Sequence, residues 1–204
     1  YSLEEWKPNQ HLRLRRFDQH WSGQKPYFQE AKFLIIPDEN SMVLNLKAGR
    51  VDLIPRLETS VLHQVEGNPR IQVLSFPMNT VQVLAINNAR APFDDWRVRK
   101  ALALGVNQEE VIFGAAWGHG VEIYSALSPA MADFYNNTYD PNRAKALLRE
   151  ANQERLQLKL TLPSNYPLHV QTGELIAEQW KALGIQVDLE IVEWGTWLER
   201  VYTQ

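Results

Sequence analysis

Cysteine is absent from all 204 residues. That excludes disulfides, thiolate nucleophiles and Cys-ligated zinc, and it leaves the redox compartment open. No apolar run approaches the roughly 18 residues that a membrane-spanning helix needs, so direct membrane insertion is not expected. Charge of one sign does not accumulate either. Lys and Arg number 21 against 24 Asp and Glu, for a net charge of −3. Without a basic stripe, nucleic acid is not an expected partner. The tightest cationic cluster, Arg13, Arg15 and Arg16, alternates with Leu12 and Leu14 in the pattern of a strand face. No glycine-rich phosphate loop and no GxSxG elbow occurs. The five histidines, His11, His20, His63, His119 and His169, show no converging ligand spacing. No cofactor, metal site or catalytic residue is therefore expected.

Hydrophobic residues make up 45% of the chain, enough for a core. Tyr1–Trp6 and His11–Phe17 flank Lys7-Pro8-Asn9-Gln10 and predict a hairpin. Ala31–Ile36 predicts a buried strand. Asp38 or Asn40 caps a helix that presents Met42, Val43, Leu46 and Lys47 on one face and stops at Gly49. Val51–Ile54, Arg70–Phe76 and Val81–Ile86 predict strands, and Leu57–Val65 a helix. After a helix over Gln108–Ala116, Glu122–Asn137 lacks periodicity and reads as a loop. Asp140-Pro141 opens another helix, with the acid at the cap and proline at its first position. Leu156–Leu162 predicts a strand, Thr172–Leu183 a helix, Ile185–Val192 a strand and Gly195–Tyr202 a last helix. Alternating strands and helices point to an α/β architecture with mixed sheets.

Two places invite a chemical reading. In "APFDDWRVRKALALGVNQEEV" two aspartates precede Arg97, Arg99 and Lys100. Pro92 keeps the residue before it out of a helix, so Asp94 or Asp95 fits a helix cap better than a catalytic pair. In "EWGTWLERV" Trp194 and Trp197 stand where a strand turns into a helix. Open α/β sheets place ligands at such corners. Trp194 is there either as core packing or as a flat aromatic wall for an extended ligand.

Five stretches resemble one family in the correct order. They are "YSLEEWKPNQHLRLRRFDQHWSGQKPYFQEAKFLIIPD", "LNLKAGRVDLIP", "LAINNARAPFDDWRVRKALALGVNQEEV", "YDPNRAKALLREA" and "LGIQVDLEIVEWGTWLERV". Together they resemble the bacterial extracellular solute-binding proteins of family 5, the oligopeptide, dipeptide and nickel receptors of ABC importers. The resemblance implies a type II periplasmic-binding-protein-like, two-lobed α/β clamp. Residues 1–78 would supply part of the first lobe and residues 79–204 an incomplete second lobe. The ends look cut, so the chain is expected to be an internal segment of a longer protein. The implied role is non-enzymatic: capture of a peptide ligand and its delivery to ABC transporter permease subunits. The compartment would be the periplasm, or the outer surface of a Gram-positive cell through a lipid anchor. A sensor domain of a transcription regulator, and a nickel- or haem-binding member, are the alternatives. Trp194 and Leu198 resemble pocket-lining positions, and Thr80, Val81, Gln82, Leu84 and Asn87 would approach the ligand. The "PFDDWRVR" stretch resembles a scaffold signature. An arginine that some peptide binders carry near Val201 is absent.

Overall fold

The computed structural model describes residues 1–76, 80–124 and 139–202. The chain divides into two compact units, Tyr1–Leu74 and Ser75–Gln204.

In the first unit, β1 (Ser2–Lys7), β2 (His11–Arg15) and β3 (Glu30–Leu34) form an antiparallel sheet in that order. Asn9 takes a left-handed conformation, φ 59°, in the tight turn between β1 and β2, which asparagine tolerates better than most residues. The register sets Trp6, Leu12 and Phe33 side by side on one face and Glu5, Arg13 and Lys32 on the other. On that polar face the Glu5 carboxylate meets His11 and Lys7 at 3.0 Å each. These bonds, His11 first, hold its pKa down at about 2. Helix α1 (Glu39–Lys47) follows, with Asp38 accepting from the Ser41 N–H at 2.7 Å. Gly49, φ 68°, ends it. Helix α2 (Thr59–Leu62) packs beside α1 around Val43, Val61 and Val65. Here the sequence pattern overreached. Leu57–Val65 yields one helical turn followed by irregular turns. Val51–Ile54 and Arg70–Phe76 are not strands, because neither run finds a sheet edge to pair with among the described residues. Branched apolar residues favour a pleated surface only where one is offered.

The second unit holds the larger core. Helices α3 (Trp96–Leu104), α4 (Gln108–Ala116) and α5 (Pro141–Glu150) precede β4 (Gln157–Pro163), α6 (Pro167–Lys181), β5 (Gln186–Val192) and α7 (Trp194–Tyr202). Val81–Ile86 likewise forms no strand here, although Ile86 packs on the core. The loop expected over Glu122–Asn137 lies outside the described residues from position 125 onward. Asp95, not Asp94, caps α3: its carboxylate accepts from the Arg97 N–H at 2.8 Å and pairs with the Arg97 guanidinium at 2.6 Å. Arg97 also donates to the Glu150 carbonyl at 2.7 Å, tying α3 to the end of α5. Arg99 donates to the carbonyls of Phe93 and Asp94. The acid–base run thus fastens a helix start. Asp140 caps α5 through the Arg143 N–H, with Pro141 behind it.

Strands β4 and β5 are parallel, Leu158 opposite Val187 and Leu162 opposite Ile191. A parallel pair requires a crossover, and α6 is that crossover. It begins at Pro167, five residues before the expected Thr172, because proline's fixed φ suits a first helical position. Gly173 lets α6 approach the sheet: a Cβ there would lie 2.5 Å from a Leu162 methyl carbon. The core spans Val98, Leu102, Leu147, Leu148, Ile185 and Trp180, and the Trp180 indole N–H donates to the Leu102 carbonyl at 3.0 Å.

Two outcomes follow from this packing. Leu147, fully buried, should cost about 2–5 kcal/mol of unfolding free energy when changed to alanine. Gly173→Ala should cost about 1–3 kcal/mol through overpacking. Urea denaturation checks both. The Asp95 carboxyl is held below its ordinary pKa, first by the Arg97 side chain and then by the Arg97 N–H. The stability it contributes is therefore complete above the ordinary aspartate range and is lost as pH falls through the folded value. Asp95→Asn should consequently lose less stability than the native chain on acidification below pH about 4. Identical acid limbs in thermal melts would contradict the assignment.

Candidate functional site

The parallel pairing of β4 and β5 brings their C-terminal ends to one edge of the sheet. Helix α6 starts there after β4, and α7 starts there after β5. Five rings meet at this edge. His169 lies 5.2 Å from Tyr166, centroid to centroid, and Tyr166 meets Trp194 edge-on at 5.3 Å. Trp194 and Trp197 stack at 5.2 Å with their planes 8° apart. Tyr202 closes the row, edge-on to Trp197 at 5.7 Å. Such offset and edge-to-face pairs suit the ring quadrupoles.

The row is anchored from below and open from outside. The Trp197 indole N–H donates to the Thr161 carbonyl of β4 at 3.1 Å. Glu193 accepts from the N–H groups of Gly195 and Thr196 at the start of α7. Glu190 of β5 bonds Arg200 of α7, Thr161 at 3.1 Å and Lys159 at 3.6 Å. The Arg200 contact, first among these, lowers its pKa. Both tryptophans remain half-buried, and Tyr166 and Tyr202 keep 41% and 74% of their surface in solvent. Trp180, at 3%, shows what a purely structural tryptophan looks like in this chain.

Gln82 joins the site from the other side. Its side-chain amide donates to His169 Nδ1 at 2.9 Å and accepts from the Thr172 hydroxyl at 3.4 Å. Of the residues singled out in the sequence, Gln82 and Trp194 are thus brought together. Leu198 lies half-buried one turn along α7 from Trp194. Among the described residues, no hydrogen bond or ring contact links Thr80, Val81, Leu84 or Asn87 to the rings. Asn87 instead closes a local turn, its side chain accepting from the Ala89 N–H at 3.1 Å.

Sequence reasoning missed Tyr166, His169 and Tyr202. A signal was available for the first two. The strand-end rule applied to β5 applies equally to β4, and Tyr166 and His169 sit three apart at the helix start that follows it. The arrangement offers flat apolar faces with amide and imidazole groups at one end. That surface suits contact with side chains and main chain of a bound molecule.

The sequence profile described as bacterial extracellular solute-binding proteins, family 5 Middle, matches residues 1–204. The dipeptide-binding protein of Escherichia coli (strain K12) is 29% identical over 209 residues, covering 98% of this chain and 39% of the relative. The nickel-binding periplasmic protein of the same strain is 29% identical over 211 residues, covering 92% of this chain and 40% of the relative. The solved structure of the oligopeptide-binding protein AppA from Bacillus subtilis in complex with a nonapeptide superposes with a TM-score of 0.72 at 24% identity, over 97% of this chain and 43% of that one. The chain spans about two fifths of the length of the curated relatives it matches. Its α/β elements have the fold of type II periplasmic binding proteins, and residues 1–204 belong to the bacterial extracellular solute-binding proteins of family 5.

Proposed function

We propose that the protein carrying this chain is a non-enzymatic receptor of an ABC-type importer, which captures a peptide between two lobes and presents it to membrane permease subunits outside the cytoplasm. On this reading residues 1–78 supply part of the first lobe and residues 79–204 part of the second. One observation supports the reading above all: the half-exposed row of rings from His169 to Tyr202 at the C-terminal edge of β4 and β5. Flat rings held by main-chain and carboxylate bonds tolerate side chains of many shapes, while hydrogen bonds to the peptide backbone supply affinity that does not depend on sequence. Trp194 and Leu198 form the wall, Gln82 contributes the polar end, and Thr80, Val81, Leu84 and Asn87 run along the bound chain. Ligand binding favours the closed arrangement by its differential affinity for it, and the permease reads that arrangement.

A nickel-chelate reading has its own support in the nickel-binding relative, as similar to this chain as the dipeptide-binding one. Titration calorimetry on the full-length protein separates the two. Di- to nonapeptides should bind with micromolar or tighter affinity, about −8 kcal/mol or better. Trp194→Ala should weaken them by roughly tenfold or more, the loss of one aromatic anchor. Binding of a nickel–histidine chelate or of haem with no peptide binding would overturn the substrate assignment.

A further inference from the structure

Among the described residues β5 has a strand partner on one side only. The Gln186 N–H donates to the Leu156 carbonyl and the Val192 carbonyl accepts from the Ser164 N–H. The even-numbered residues of β5 therefore face β4. Val187, Leu189 and Ile191 turn their N–H and C=O groups to the other edge, where no described residue bonds them. Alongside that edge runs a groove of about 400 Å³ between β5 and α6. Ala177, Ile185, Val187 and Leu189 make its apolar floor, and Glu174 and Glu178 of α6 stand on its rim. The one cation there, Lys181, already pairs with Glu178 at 3.4 Å. On the opposite, polar face of β5, Asp188 is exposed and has no ion-pair partner among the described residues. Its cross-strand neighbour Lys159 is engaged by Glu190.

An unpaired edge beside an apolar groove accepts an added strand. The charges decide which strand. A second copy is disfavoured. Every twofold antiparallel register that pairs at least five residues of β5 with itself sets Asp188 opposite Glu190, or sets one of these acids opposite its own copy. Like charges directly opposed across strands repel. A strand that alternates apolar and basic residues meets no such conflict. Its apolar side chains enter the groove beside Val187 and Leu189, and its basic side chains, on the opposite face, lie next to Asp188. We propose that the free edge of β5 is a docking site for an extended, basic segment of another protein, which adds to the sheet as a strand. This site is separate from the ring cluster, which lies at the strands' C-terminal end.

The test titrates the full chain with the heptapeptide Lys-Val-Lys-Ile-Lys-Val-Lys and with its glutamate counterpart, read residue by residue through amide hydrogen exchange. The basic peptide should slow exchange at Val187, Leu189 and Ile191. Asp188→Lys should weaken it roughly tenfold, since an attraction becomes a repulsion, and Trp194→Ala should leave it unchanged. Four results would overturn the proposal. They are no added protection of these three amides at saturating peptide, equal binding of the glutamate peptide, perturbation confined to Trp194 and Trp197, and concentration-dependent protection of the same amides without peptide, which would make a second copy the occupant.

Discussion

The site depends on the parallel pairing of β4 with β5. Antiparallel strands would have placed the ends of the two strands at opposite edges. Because they run the same way, the chain leaves both at one edge, and the helices that follow both begin there. Tyr166 and Trp194 are 28 positions apart in sequence and 5.3 Å apart in space for this reason alone. The pairing in turn needs α6 to lie close on the sheet, and Gly173 over Leu162 is the contact that permits it. Packing, topology and site are therefore one constraint seen at three scales.

The seven tryptophans divide according to what holds them. Trp180 is sealed in the core and satisfies its indole N–H on the Leu102 carbonyl, so it joins α6 to α3. Trp197 is also bonded through its indole, to Thr161, yet keeps part of its surface free. It acts as the base on which Trp194 stacks. A ring held parallel to a fixed neighbour loses little freedom on contact with a ligand, as the proposed ligand wall requires. The charged residues around it serve the same end: Glu193 secures the start of α7, and the Glu190–Arg200 pair secures its last turn against the sheet.

Charge also separates scaffold from surface elsewhere in the second unit. The Asp95–Arg97 pair looks chemical in the sequence and proves architectural, because both groups spend their bonds on a helix start and on the carbonyl that ends α5. Among the described residues, Asp188 and the α6 glutamates Glu174 and Glu178 make no ion pair beyond that of Glu178 with Lys181. They give one sheet edge an acidic character that discourages pairing with itself, a common way to manage exposed edges.

Family membership, the alternation of strands and helices, the caps at Asp38 and Asp140 and the hairpin at Lys7–Gln10 were all legible in the sequence. Family membership came from the resemblance of five stretches taken in order; the rest follow local rules, since helix caps, turn residues and the period of apolar positions act within a few residues of themselves. The strands expected at Val51–Ile54, Arg70–Phe76 and Val81–Ile86 failed for the opposite reason, since a strand exists only where another strand accepts its hydrogen bonds. Trp194 and Gln82 stood among the residues that the sequence singled out as candidates. That His169 lies between Gln82 and the row of rings, that Tyr166 touches Trp194, and that Thr80, Val81, Leu84 and Asn87 make no bond to that row, were decided only when β4 and β5 aligned. The sequence by itself determined which segments bury apolar surface; the tertiary structure alone decided which of their ends meet, because that depends on pairing between strands far apart in the chain.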